Sequence, residues 1–175
     1  MDFDGEMGRG TLYRLGSDWT CTPMVGGVAI SNGIDWAPDG RQMYYVDTRT
    51  QRVDSFDFDP DRGELTNRRC FASIDRRDGT PDGLAVDVEG SLLLAVFGSG
   101  AVYRFDQDGR LTAKVEVPCS SVSSCVFGGP TMTELFITTA QLGLTPRELE
   151  EQPLAGSIFR VEAGVPGQAV NYFAG

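Results

Sequence analysis

The sequence predicts an all-β fold: a partial β-propeller of about 3.5 blades, each a four-stranded antiparallel sheet. Three observations predict it. A short strand motif recurs along the chain, a second motif recurs out of phase with the first, and glycine is in large excess.

The first motif reads glycine, small, aliphatic, aromatic, arginine, apolar. It occurs as GTLYRL at Gly10–Leu15, GAVYRF at Gly100–Phe105 and GSIFRV at Gly156–Val161, with a looser copy, QRVDSF, at Gln51–Phe56. The starts imply a period of roughly 40–55 residues. The second motif reads NGIDWAPDG at Asn32–Gly40 and DGLAVDVEG at Asp82–Gly90, fifty residues on. SCVFGG at Ser124–Gly129 is a third copy, 42 further along. Each copy precedes a β-rich run: Met43–Val46, Leu92–Val96 and Leu135–Thr139. Glycine is 22 of 175 residues, about 13% against a usual ~7%, which calls for many tight turns. Pro38-Asp39-Gly40, Glu89-Gly90 and Asp108-Gly109 supply turn chemistry between strand formers.

A period of this length with about four strands per unit is that of a propeller blade; leucine-rich and ankyrin repeats are shorter and carry helices. The chain divides, as a single domain 1–175, into half a blade at 1–30 and blades at 31–80, 81–123 and 124–175. Closed propellers have about 4–8 blades, so an open ring is expected, with blade edges available for self-association. One helical turn interrupts the pattern: Thr145-Pro-Arg-Glu148 is a capping box with proline at the first helical position.

Composition removes several functions. There is no histidine, so Ser-His-Asp and Cys-His catalytic sets, Cys2His2 zinc fingers and histidine-ligated haem are excluded. With 15 Lys+Arg against 25 Asp+Glu, the formal charge of −10 disfavours nucleic acid and favours cations as ligands. No run of apolar residues is long enough to span a membrane, and MDFDGEMGRG lacks the basic and apolar regions of a signal peptide. Cys21, Cys70, Cys119 and Cys125 form no C-x-x-C pair and read as free thiols of a reducing cytoplasm, with a Cys119–Cys125 disulfide as the alternative.

The combination of SNGIDWAPDG at Ser31–Gly40, YYVD at Tyr44–Asp47, VDSFDFD at Val53–Asp59, NRR at Asn67–Arg69, TPDGL at Thr80–Leu84, GSG at Gly98–Gly100, SCVFGG at Ser124–Gly129 and FITT at Phe136–Thr139 resembles the gluconolactonase/regucalcin-like (senescence marker protein) family. The resemblance runs along essentially the whole chain, ends in YFAG at Tyr172–Gly175, and is to the C-terminal part of the family. It implies a six-bladed propeller that hydrolyses sugar lactones with one divalent cation in the central channel. Residue by residue, it implies that Asn32 and Asp82 are metal ligands and that Asp82 is also the catalytic general base. The family's two other ligands, and its basic substrate contact, would fall before Met1.

Taken alone, Asn-Gly and Asp-Gly are turn formers. Equivalent positions of neighbouring blades converge on one axis, however, where a carboxylate and an amide carbonyl make hard donors for Ca²⁺ first, with Zn²⁺, Mg²⁺ or Mn²⁺ as alternatives. The partner expected is then a small-molecule sugar lactone, with neither nucleic acid nor membrane. The alternative is a catalytically inactive half-propeller or a calcium-binding scaffold.

The remaining motifs read as structure. Asp57–Gly63 fails as an EF-hand, since Arg62 stands where that loop needs glycine and Arg68 where it needs glutamate. Tyr13, Tyr103 and Phe159 read as inter-blade packing, Trp19 and Trp36 as packing residues, and Asp2 and Asp4 as neighbours of the channel mouth.

Overall fold

Residues 8–172 are described by a computed structural model. They form four antiparallel sheets in chain order. The first pairs β1 (Gly10–Leu15) with β2 (Cys21–Val28). The second runs β3 (Ser31–Trp36), β4 (Gln42–Asp47), β5 (Arg52–Asp59) and β6 (Glu64–Ser73). The third runs β7 (Thr80–Val86), β8 (Leu92–Phe97), β9 (Ala101–Phe105) and β10 (Leu111–Glu116). The fourth holds three strands, β11 (Val122–Gly128), β12 (Glu134–Thr139) and β13 (Ile158–Glu162). The first strands of the three larger sheets stand side by side, β3 against β7 and β7 against β11.

This is the partial propeller that the repeats predict, with one difference. The last sheet has three strands among the described residues: the chain after β12 leaves the sheet for an insertion before returning as β13. The insertion carries α1 (Pro146–Glu151), opened by the expected capping box: the Thr145 hydroxyl accepts from the Glu148 N–H, and the Glu148 carboxylate accepts from the Thr145 N–H at 2.7 Å.

Blades one and two are buried on both faces, which is why their second strands are continuous apolar runs, whereas β12 of the last blade alternates, burying Leu135 and Ile137. Along β8, Leu92, Leu94 and Val96 face the preceding blade, joining Tyr44, Val46 and Val53 in one cluster. Leu93 and Ala95 face the following blade, joining Val122, Leu135 and Ile137. Strand β4 divides likewise: Met43 and Tyr45 meet Val25 and Val28 of the half-blade, while Tyr44 and Val46 look toward blade two. The side-chain period of two thus deals alternate residues to the two inter-blade cores.

Tyr103 lies in the first of these cores and Phe159 packs against the second, as expected. Trp36 packs against the half-blade core. Tyr13 and Trp19 depart from expectation. Tyr13 is 57% exposed because the two-stranded sheet uses only one face, through Leu12, Val25 and Val28, to cover blade one. Trp19 sits in the β1–β2 turn at a φ of 64° and is 66% exposed.

Buried charge at the blade seams is matched locally. Asp47 accepts from the Ala29 and Ile30 N–H groups at 3.0 and 2.9 Å and so fixes the crossing from half-blade to blade. Asp54 lies between Arg52 and Arg68 at 2.7 and 2.6 Å. Asp87 pairs with Arg104 at 2.9 Å.

Candidate metal centre where the inner strands meet

The three inner strands share an irregularity near their starts. Ser31 pairs with Asp47 and Ile34 with Tyr45, so Asn32 and Gly33 oppose a single residue of β4. Pro81 pairs with Val96 and Leu84 with Leu94, so Asp82 and Gly83 oppose a single residue of β8. Strand β11 shifts register between Val122 and Ser124. Such bulges bend a strand and re-aim its side chains. The Asn-Gly and Asp-Gly pairs, turn formers when met alone, are here bulge residues inside strands.

The glycines let the strands close up. A Cβ on Gly33 would lie 2.7 Å from both the Asp82 carbonyl oxygen and the Leu84 nitrogen. A Cβ on Gly83 would lie 2.8 Å from Ser124 Cα. Each inner strand therefore rests on the next at the residue after the site position, which carries Asn32 and Asp82 toward each other.

The two side chains are neighbours: the Asn32 amide lowers the proton affinity of the Asp82 carboxylate, and its nitrogen donates to the Thr48 hydroxyl at 3.1 Å. Thr48 opens the single 3-10 turn Thr48–Thr50 in the β4–β5 hairpin, and that turn lies against β7. Burial pushes the Asp82 carboxyl above the ordinary carboxylate value, while the Asn32 amide and the Gly83 N–H pull it back. The partners of this half-buried charge are thus neutral, and a cation beside it would be favoured. A half-turn of the Asn32 amide exchanges its nitrogen for its oxygen at the same place. In that orientation two carboxylate oxygens, one amide oxygen and the Thr48 hydroxyl form a set of hard donors suited to Ca²⁺ or Mg²⁺. The donor type fits a hard cation. The number falls short of the roughly 6–8 oxygens Ca²⁺ takes, and among the described residues no three Cys, Asp or Glu side chains converge.

Thr48 has no signal in the repeats, because it lies in a hairpin whose counterpart in blade two is the Gly98–Gly100 turn. Asp2 and Asp4 lie outside the described residues. The Asp57–Gly63 segment is the end of β5 and the turn that follows it. Two of its acids are already engaged: Asp57 accepts from Asn67 and Arg69, both at 2.6 Å, and Asp59 accepts from the Asp61 and Arg62 N–H groups.

A concavity opens at the other ends of the inner strands. It measures about 930 Å³ and is lined by Asp35, Trp36, Val86, Phe127 and Met132, with Gln168 at its margin. Burial raises the Asp35 carboxyl, opposed by the Trp36 and Val86 N–H groups. Asn32 and Asp82 do not line this space.

Fold and site together define an open arc of a β-propeller with an amide–carboxylate pair between adjacent inner strands. The profile of the SMP-30/Gluconolactonase/LRE-like region matches residues 1–141, and the chain belongs to that family. It is 37% identical over 172 residues to regucalcin of Sus scrofa and 38% identical over 169 residues to regucalcin of Danio rerio. These matches cover 97% and 95% of this chain but 58% and 57% of the relatives' lengths. Among solved structures it is similar to the calcium-binding protein regucalcin from Agrobacterium tumefaciens, with a TM-score of 0.89 and 31% identity over 96% of this chain and 57% of that one. A gluconolactonase from Xanthomonas campestris superposes with a TM-score of 0.63 and 34% identity over 73% of this chain and 41% of that one.

Proposed function

We propose that this chain supplies part of the active centre of a divalent-cation-dependent sugar lactonase, with Asn32 and Asp82 as metal ligands and Asp82 as the general base. The observation that carries this reading is that Asn32 and Asp82, fifty residues apart, stand at equivalent bulges of neighbouring inner strands that pack closely at Gly33. Family membership and the likeness to a gluconolactonase support ring-opening ester hydrolysis of an aldonolactone.

When bound, the cation would supply Lewis-acid polarisation of the lactone carbonyl. The chain's own part is different. The Asp82 carboxylate would hold the cation and, as general base, accept the proton of the attacking water. Cation ligation lowers the proton affinity of a carboxylate, whereas burial raises that of Asp82, so the two influences oppose each other. Asn32, whose side chain is held by Thr48, would offer its amide oxygen to the cation. Free cysteines accord with a reducing cytoplasm, which belongs to this proposal.

The test is hydrolysis of gluconolactone by the purified chain with Ca²⁺, Zn²⁺, Mg²⁺ or Mn²⁺. EDTA and Asp82→Ala should each abolish turnover. Undiminished turnover under either condition refutes the assignment.

The small donor number favours a second reading, in which the chain binds calcium without turnover. Calcium binding that is lost in Asp82→Ala, with no hydrolysis under any metal, selects it.

A further inference from the structure

Strands β3 and β7 belong to different sheets, so no β-ladder fixes their separation. What ties them is side-chain chemistry. At the near ends they are packed so closely that a Cβ on Gly33 would lie 2.7 Å from the Asp82 carbonyl oxygen, which sets Asn32 beside Asp82. Further along, the Asp35 carboxylate accepts from the Val86 N–H at 2.8 Å. At the far ends the tie comes from a segment distant in sequence. The Gln168 amide nitrogen donates to the Trp36 carbonyl at 2.7 Å and to the Val86 carbonyl at 3.3 Å. Trp36 and Val86 are the last residues of β3 and β7 and, like Asn32 and Asp82, stand fifty apart.

The segment holding Gln168 is itself anchored to two blades. The Val88 N–H donates to the Pro166 carbonyl at 3.0 Å, and the Gly167 N–H donates to the Met132 carbonyl at 2.8 Å. Gly167 pairs with Asp87 in an isolated bridge and sits so close to Phe127 that a Cβ there would collide with its ring. Residues 166–168 therefore form a strap across the far ends of all three inner strands.

We infer that Gln168 is a positioning residue for the proposed cation site, clamping the far ends of β3 and β7 so that their near ends hold Asn32 and Asp82 at binding distance. Four residues of strand separate clamp from site, about 13 Å at the usual rise. With no ladder between the two strands, releasing one end lets the other end spread. This inference rests on the reading of Asn32 and Asp82 as ligands.

The experiment titrates Tb³⁺, a luminescent stand-in for Ca²⁺, into the wild-type chain and into Gln168→Met, Gln168→Ala and Asp82→Asn. Methionine keeps the volume and loses the donor, which guards against a variant that merely fails to fold. Amide hydrogen exchange follows residues 31–36 and 80–86, with β5 as reference. Wild-type binding that Asp82→Asn removes localises the ion. Gln168→Met should then weaken Tb³⁺ binding roughly 3- to 30-fold and speed exchange in β3 and β7 but not in β5. A lowered Tm with unchanged Tb³⁺ affinity makes Gln168 merely structural and overturns the inference. Wild-type binding that is absent, or indifferent to Asp82→Asn, instead overturns the ligand reading, and the positioning role falls with it.

Discussion

The Cα of Gly33 faces the carbonyl oxygen of Asp82 so closely that one added methyl group would stand 2.7 Å from it. The obstacle is backbone on both sides, the Asp82 oxygen and the Leu84 nitrogen, so no side chain can swing away to relieve it. Gly33→Ala should destabilise the fold by ~1–3 kcal/mol, the usual cost of overpacking. Gly26→Ala, with open space around its Cβ and no left-handed φ, is the control and should stay within ~0.5 kcal/mol. Urea denaturation of both variants checks this.

The Asp82 carboxylate should cost stability for the sake of the site. At about pH 7 folded and unfolded chains both carry the charge, and burial penalises it only in the folded one. Below the ordinary value of 3.8 the carboxyl becomes protonated in both states and the penalty fades, so stability rises as the pH falls through the raised folded value. Asp82→Asn should therefore raise Tm at about pH 7 and change it little at about pH 3. Melting curves at both pH values, without divalent metal, make the comparison.

The four thiols should divide into two classes. Cys21 and Cys70 are exposed, while Cys119 and Cys125 are buried. Burial pushes the Cys125 thiol up to about 12, and its Sγ donates to the Leu93 carbonyl. A thiol reagent at mildly alkaline pH should titrate two groups in the native chain and all four in denaturant. Rapid reaction of Cys125 in the native chain would mean that blades two and three separate readily.

Leu94 is fully buried in the core between blades one and two, whereas Leu111 on β10 is 47% exposed. Leu94→Ala should lose ~2–5 kcal/mol, and Leu111→Ala should stay within ~1 kcal/mol. Equal losses would mean that the inter-blade core is not the main source of stability.

The strands were legible because each blade repeats the same physical problem. A twice-buried second strand must be apolar throughout, which MYYV and LLLAV display, and the turns must be glycine-rich. The equivalent placing of Asn32 and Asp82 on neighbouring inner strands was legible through their common place in the repeat. Less legible was whatever depends on contacts outside the period. Thr48 reaches the site from a hairpin whose sequence differs in every blade, and Gln168 clamps two strands from a segment 132 residues away from one of them. The exposure of Tyr13 was hidden because its motif matches that of Tyr103, whereas the sheet that carries it has only one covered face.

The glycines that let the inner strands nest also set a chemical clock. An Asn-Gly linkage is the one in which the following amide nitrogen is least shielded from the side-chain carbonyl, so ring closure to a succinimide, then hydrolysis to aspartate or isoaspartate, meets the least steric resistance there. Asn32-Gly33 is such a linkage, and Asp82-Gly83 can cyclise in the same way. At Asn32-Gly33, the one Asn-Gly linkage of the sequence, close packing of β3 on β7 restrains the backbone, so damage there should advance only as fast as the two strands fray.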